Sequence, residues 1–196
     1  MTSNHEPPAP AATGVPRKRI GLFGGSFDPP HVAHQLVCTL ALSVGGMDEV
    51  WLVPCFRHAF DKDLAPFSDR LAMCGLTAEP FGSRVGVCDV ERSLGGVSRT
   101  VVTLEKLRSL HPDHDFVLVV GADILDETSR WHAWDRIQAL ADLYVVGRSP
   151  VSGTDGVVLP DVSSTDIRAR LRLGRNVAGL VPASVASYIQ SRGLYS

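Results

Sequence analysis

The feature that most constrains the fold is a continuous apolar run at residues 116–120 (FVLVV), which ends in Gly121. Five apolar residues in a row, without alternating polar residues, are typical of a parallel strand that is buried on both faces of its sheet. Parallel strands are joined by long crossover connections, which are usually helices. The run therefore predicts an α/β domain with a central parallel strand covered by helices on both sides.

The rest of the chain alternates between strand-like and helical segments. Strand-like runs occupy residues 19–23, 49–53, 85–88 and 143–146, and apolar residues recur at helical spacing in residues 31–44, 68–78, 100–110 and 134–141. This alternation is typical of right-handed βαβ crossovers. Beyond residue 159 the pattern is helical, in residues 164–173 and 182–192. We predict a Rossmann-like open parallel sheet with helices on both faces and a small helical C-terminal tail.

Length and composition exclude several classes of protein. A chain of 196 residues with 44% hydrophobic residues and a net charge of -2 is expected to form one globular domain and not to bind nucleic acid. No apolar run is long enough to span a membrane. The first 18 residues contain four prolines and no apolar centre, so we predict a disordered tail at residues 1–18 and a domain at 19–196. Four widely spaced cysteines and the lack of a signal peptide predict free thiols in the cytoplasm.

The most specific motif is GGSFDPPHVAH, residues 24–34, which follows the first predicted strand. Gly24 and Gly25 permit a close approach of the backbone to a ligand, and the N-terminus of the next helix favours phosphate. His31 and His34 are three residues apart and therefore share one helix face. An ordinary turn with structural histidines is one alternative, and a metal pair is another, although zinc needs three or four ligands. We predict a phosphate site at the carboxyl edge of the sheet.

Two signatures and two shorter elements resemble a known family. Residues 24–34 resemble the H-x-x-H or (T/H)-x-G-H element of nucleotidyltransferases, and residues 162–168 (VSSTDIR) resemble their second signature. The GAD element at residues 121–123 and WHAW at 131–134 are similar to those of the bacterial nicotinate-mononucleotide adenylyltransferases, and help to separate that family from the phosphopantetheine adenylyltransferases. The resemblance extends from Arg19 to Tyr195, about nine-tenths of the chain.

The resemblance implies transfer of AMP from ATP, with Mg²⁺, to nicotinate or nicotinamide mononucleotide in NAD biosynthesis. The attacking phosphate is already anionic, so the reaction needs positioning and charge stabilisation rather than a protein nucleophile or base. The family assigns these roles to His31, His34 and Arg168. Arg168 lies one helical turn after Ser164, on the same face. In isolation, the Ser-Ser-Thr stretch fits equally an ordinary helix cap beside a solvated arginine.

The resemblance also implies the residues that bind each substrate. The predicted ATP-binding residues are Gly24, Gly25, Ser26, Phe27, Gly121, Asp123, Ser164 and Thr165. The predicted residues for the mononucleotide are Lys62, Thr100, Trp131 and His132. By geometry alone, Asp123 could equally cap a helix and Trp131 could belong to the core.

The chain departs from the family pattern at two places. It has Ser98-Arg99-Thr100 where the family has Ser-Tyr-Thr, and FRHAFDK at residues 56–62 where the family has Pro-Pro-His-Lys. Lys62 or His58 is a candidate replacement for the family's basic phosphate contact. The preference between the two pyridine mononucleotides stays open, as does the oligomeric state. Two alternatives remain: a related adenylyl- or cytidylyltransferase with another acceptor, such as phosphopantetheine, and a non-catalytic nucleotide sensor.

Overall fold

The computed structural model describes residues 17–57, 63–122, 131–147 and 160–196. Within them, five parallel strands form one open sheet in the order β3-β2-β1-β4-β5. The strands are β1 (Lys18–Gly25), β2 (Glu49–Pro54), β3 (Val85–Val87), β4 (His114–Gly121) and β5 (Asp142–Val146). The predicted parallel sheet is confirmed, and β1 begins one residue before its predicted start.

Helices connect and cover the strands. They are α1 (Val32–Ser43), α2 (Phe67–Ala78), α3 (Val90–Leu94), α4 (Thr100–Leu110), α5 (Trp134–Leu140), α6 (Ser164–Arg172) and α7 (Ala183–Arg192). Every predicted helix is present, with ends that agree within about one residue, which is the usual uncertainty of helix boundaries. Two elements were not predicted: α3, and a 3-10 helix at Glu79–Arg84 that follows α2. Both are too short for apolar residues to repeat at helical spacing.

Strand β4 is the buried centre that the apolar run predicts. Its five apolar residues are each at most 6% exposed. Val117 and Val119 belong to the core that α1 and α2 cover, whereas Phe116, Leu118 and Val120 belong to the core that α4 and α5 cover. Alternate side chains of one strand therefore fill two hydrophobic cores, as a three-layer α/β domain requires.

The C-terminal helices pack mainly against α2 instead of the sheet. Met73 of α2 lies in a third core with Ile167 of α6 and with Val185 and Ile189 of α7. The main-chain N–H of Val32, the first residue of α1, donates a hydrogen bond to the carbonyl of Leu180 at 3.0 Å. The helical tail is therefore joined to the start of α1, next to the loop that follows β1.

The strand order places a topological switch between β1 and β4. The chain builds β1, β2 and β3 in one direction, then returns to place β4 and β5 on the other side of β1. Phe23 of β1 pairs with Val119 of β4, so the carboxyl ends of these two strands lie level. Ligands of open α/β sheets bind at such a switch, and the glycines at positions 24, 25 and 121 are there.

Three further expectations concern the chain as a whole. All four cysteines are free thiols, as predicted. None of the helices in the described ranges is both long enough and apolar enough to cross a bilayer. Residues 1–16 lie outside the described residues, so the N-terminal tail stays a prediction.

Candidate active site

The end of β1 and the loop after it leave the backbone open at Gly24 and pack a phenyl ring against Gly25. A Cβ atom at Gly24 would meet no described atom within 4 Å, whereas at Gly25 it would lie 3.2 Å from the ring of Phe27. Phe27 is 2% exposed and adopts a φ of 50°, which is uncommon for a residue other than glycine. Its ring packs against that of His34, with centroids 4.9 Å apart. The Phe27 side chain therefore supports a histidine, and only its backbone is placed to meet a ligand.

His31 and His34 lie together at the start of α1. Their rings stack with centroids 3.8 Å apart and planes 28° from parallel. The main-chain N–H of His31 donates to Nδ1 of His34 at 2.9 Å. Because Nδ1 accepts this bond, a neutral His34 carries its proton on Nε2, which can donate to an anion. The first turn of α1 contains no acidic residue, so the positive end of the helix dipole is not neutralised locally.

The second signature forms the start of α6, as predicted. Ser163 is the N-cap, and its hydroxyl oxygen accepts from the main-chain N–H of Asp166 at 3.1 Å. The hydroxyl of Ser164 donates to the carbonyl of Pro29 at 2.9 Å. Since that proton is already used, Ser164 would donate to a phosphate through its main-chain N–H.

Arg168 joins α6 to the loop after β1. Its Nη1 donates to the carbonyl oxygen of Asp28 at 2.7 Å and lies 3.6 Å from the Asp28 carboxylate. Its Nη2 donates to the hydroxyl of Thr165 at 3.3 Å. The side chain is 21% exposed, so it is not sealed off from the solvent. Two motifs separated by more than a hundred residues therefore form a single cationic site.

Two buried charged residues that sequence reasoning missed hold the loop in place. Asp28 is 1% exposed, and its carboxylate accepts from the Ala65 N–H at 3.1 Å and from the Tyr195 hydroxyl at 2.7 Å. Arg70, from α2, is 2% exposed.

Arg70 bonds through carbonyl oxygens to the β1–α1 connection and to both ends of the β2–α2 connection. Its guanidinium donates to Ser26 at 2.9 Å, Cys55 at 2.8 Å, Ala65 at 3.0 Å and Phe56 at 3.4 Å. These carbonyls belong to the loops after β1 and β2 and to the segment before α2. One buried cation therefore fixes the relative positions of the loops at this edge of the sheet.

A buried glutamate organises the side of the site opposite α6. Glu91 of α3 is 7% exposed, and its carboxylate accepts from the hydroxyl of Thr103 at 2.7 Å, from the hydroxyl of Ser98, and from the Phe56 N–H at 3.2 Å. These bonds join the loop after β2 to the segment that begins α4. Thr100 is the first residue of α4.

The remaining predicted residues divide into three groups. Trp131 is half-buried against the core under α5 and packs edge-to-face on Trp134, with centroids 5.7 Å apart, whereas His132 is exposed. Gly121 is the last residue of β4. Lys62 and Asp123 lie outside the described residues.

The arrangement is suited to binding phosphate. Imidazole, guanidinium and helix N-terminal donors converge beyond β1 and β4, and each prefers an anionic partner. Cys55, at the same edge, is a poor nucleophile because burial raises the pKa of its thiol above the ordinary value. Within the described ranges, no group of three or more His, Cys, Asp or Glu side chains could hold a metal ion.

Comparison with known proteins agrees with this geometry. The family model described as cytidylyltransferase-like matches residues 22–170. A probable nicotinate-nucleotide adenylyltransferase from Anaeromyxobacter sp. (strain K) is 53% identical over 184 residues, covering 91% of this chain and 97% of the relative.

Two solved structures share the fold. A putative nicotinate-nucleotide adenylyltransferase from Vibrio parahaemolyticus has a TM-score of 0.70 and 23% identity, covering 91% of this chain and 95% of the other. A nicotinic acid mononucleotide adenylyltransferase from Plasmodium falciparum, complexed with NaAD, has a TM-score of 0.73 and 21% identity, covering 91% and 97%. With the family match and the high identity to the bacterial relative, these findings place the chain in the cytidylyltransferase-like family, among its nicotinate-nucleotide adenylyltransferases.

Proposed function

We propose that the chain transfers the AMP part of ATP to nicotinate mononucleotide, forming nicotinate adenine dinucleotide and pyrophosphate. The observation that carries this proposal is that the two signatures are hydrogen-bonded to each other: Arg168 donates to the carbonyl of Asp28, and Ser164 donates to the carbonyl of Pro29. The names of its bacterial relatives supply the acceptor, because each is named a probable nicotinate-nucleotide adenylyltransferase. The geometry supplies donors where phosphates would lie.

The reaction requires no proton transfer to or from the protein. An oxygen of the mononucleotide phosphate forms a bond to the α-phosphorus of ATP, and the bond from that phosphorus to the bridging oxygen breaks, so that its electron pair leaves with pyrophosphate. Negative charge accumulates on the phosphoryl oxygens and the leaving group. His34 through Nε2, His31 and Arg168 would stabilise this charge. Gly24, Gly25 and the main-chain groups of residues 26, 27, 164 and 165 would hold the ATP phosphates.

The mononucleotide would occupy the side of the site formed by α4. The N-terminus of α4, at Thr100, favours a carboxylate, which nicotinate has and nicotinamide lacks. Arg99, directly before it, is exposed and adds a positive charge at the same position. The ring of Trp131 would stack on the pyridine, with His132 beside it. The resemblance alone adds two further contacts to the proposal. Lys62 would bind the mononucleotide, and Asp123 would bind the adenosine ribose of ATP.

ATP would enter with a divalent metal ion, as is general for this family, and we propose that the ion is Mg²⁺. The described donors, which are imidazole, guanidinium and N–H groups, suit phosphate oxygens better than they suit Mg²⁺, which prefers oxygen ligands. Asp28 is buried, and its carboxylate accepts bonds from protein donors. These features fit an ion carried mainly by the ATP phosphates, which is the common mode for Mg²⁺.

The test is a comparison of acceptors with the purified full chain. ATP and Mg²⁺ are supplied with nicotinate mononucleotide, nicotinamide mononucleotide or phosphopantetheine, and pyrophosphate release is measured while chromatography identifies the product. We expect dinucleotide formation with nicotinate mononucleotide and a lower kcat/KM with the nicotinamide compound. Turnover with phosphopantetheine alone would contradict the proposed acceptor. Tight ATP binding without turnover of any acceptor would favour a nucleotide sensor.

A further inference from the structure

The penultimate residue of the chain, Tyr195, contacts the loop after β1 (residues 26–31), which we call the phosphate loop. Helix α7 ends at Arg192, and its C-cap Gly193 adopts a left-handed φ of 59° that turns the chain back on itself. Leu194 and Tyr195 pack on the core between α2, α6 and α7. From there the Tyr195 hydroxyl donates to the Asp28 carboxylate at 2.7 Å, a contact across 167 residues of sequence.

Asp28 holds Arg168 from the other side. The carbonyl oxygen of Asp28 accepts from Nη1 of Arg168 at 2.7 Å, while the nearer carboxylate oxygen stands 3.6 Å from the same nitrogen. The first distance is that of a strong hydrogen bond and the second is that of a loose ion pair. The carboxylate is directed instead toward Tyr195 and the Ala65 N–H, which bond to its other oxygen.

The Tyr195 hydroxyl is a permanent donor. Burial, reinforced by the hydrogen bond to Asp28, raises the pKa of Tyr195 well above its ordinary value. The phenol therefore remains protonated throughout the physiological pH range.

We propose that Tyr195 is a positioning residue for adenylyl transfer, acting on the ATP phosphates through Asp28 and Arg168. The proposal rests on the function proposed above. Without the hydroxyl, the Asp28 carboxylate lacks one of its donors and can turn to pair directly with the guanidinium. A direct ion pair would draw Arg168 away from the phosphates and would neutralise part of its charge. Tyr195 would thus contribute to the reaction indirectly, by positioning Arg168.

The chain offers a matched control for the Tyr195 hydroxyl. Tyr188, on α7, donates to the carboxylate of Asp69 at 2.8 Å, and Arg192 bonds to the same oxygen at 3.2 Å. This is the same kind of tyrosine–aspartate hydrogen bond with an arginine neighbour, but Asp69 is on α2, outside the phosphate loop. Tyr188→Phe therefore reports the cost of losing such a bond without disturbing Arg168.

The first measurement is binding of an ATP analogue with a methylene group between its α- and β-phosphorus atoms, which needs no acceptor. We expect Tyr195→Phe to weaken binding by about tenfold, the effect of losing about 1.4 kcal/mol, and Tyr188→Phe to stay within about twofold. With nicotinate mononucleotide as acceptor, the KM for ATP should rise or kcat should fall while the KM for the mononucleotide is unchanged. Equal losses in the two variants would overturn the proposal.

A double-mutant cycle distinguishes positioning from general support of the fold. If Tyr195 acts through Arg168, then Tyr195→Phe should have no further effect on analogue binding in an Arg168→Ala background. A tenfold loss that persists in that background would contradict the mechanism. The two proposals can fail separately, because analogue binding is measured without an acceptor. An inactive wild-type chain would refute the proposed function, whereas the binding cycle would still show whether Tyr195 acts through Arg168.

Discussion

Replacing Arg70 by methionine tests how the loops of the active site are held. Methionine keeps much of the apolar stem but removes the guanidinium, whose three shortest bonds, at 2.8–3.0 Å, go to carbonyls in the β1–α1 connection and at the two ends of the β2–α2 connection. Each orphaned buried carbonyl costs about 1 to 3 kcal/mol, and we take the lower end for each of the three bonds. The expected loss of folding free energy is therefore about 3 kcal/mol.

Arg92→Met is the matched control for this substitution. The guanidinium carbons of Arg70 and Arg92 lie 5.4 and 5.3 Å from the centroid of the same Phe67 ring, so both variants lose a similar cation–π contact. Arg92 is exposed, whereas Arg70 is buried. The control should therefore cost less than about 1 kcal/mol.

Urea unfolding, followed by the fluorescence of the three tryptophans, measures the difference. With an m-value of about 2 kcal/mol per M, the Arg70 variant should unfold at a midpoint lower by roughly 1.5 M, and the control by less than about 0.5 M. The kcat of the Arg70 variant should fall as well, because the phosphate loop loses an anchor. Indistinguishable midpoints for the two variants would refute the anchoring role of the buried guanidinium.

Four other substitutions test separate parts of the site and of the strand that leads to it. His34→Ala should lower kcat by at least about a hundredfold through loss of a charge-stabilising donor, and near-normal turnover would remove the histidine from the mechanism. Glu91→Gln should raise the KM for nicotinate mononucleotide about tenfold while the KM for ATP changes little, since Glu91 holds the acceptor side of the site. Steady-state kinetics measures both constants, and a rise in the KM for ATP alone would contradict this role. Gly24→Ala should weaken ATP binding without lowering stability, because its Cβ meets no described atom within 4 Å. Gly21→Ala should instead lower the free energy of unfolding by about 1 to 3 kcal/mol in thermal unfolding, because its Cβ would lie 2.4 Å from the Met47 sulfur. A stable Gly21 variant with an unstable Gly24 variant would contradict these assignments.

The sheet could be predicted because its signals are local. The run at residues 116–120 has no polar residue, and a strand buried on both faces needs none. Helix α4 was predicted at its observed ends because apolar residues repeat through three turns. Helix α3 could not be predicted, since its five residues form little more than one turn and depend on tertiary packing.

The motifs of the site could be predicted, but most of their supports could not. Residues 24–34 and 162–168 carry a recognisable pattern, whereas the bond from Tyr195 to Asp28 joins two residues that local patterns do not connect. Arg70 did leave a signal: it shares a helical stripe with the buried residues Met73, Cys74 and Thr77. An arginine on an apolar stripe indicates a buried cation with a specific set of acceptors.

The central claim is that the α-phosphorus of ATP is attacked at the site that His34 and Arg168 share. Its most direct test is to follow radioactive phosphorus from ATP labelled either at the α- or at the γ-position, in the presence of Mg²⁺ and nicotinate mononucleotide. We expect α-label in the dinucleotide and γ-label only in pyrophosphate, with both transfers strongly reduced in His34→Ala and Arg168→Ala. Label from the γ-position in the nucleotide product, or undiminished transfer in both variants, would contradict adenylyl transfer at this site.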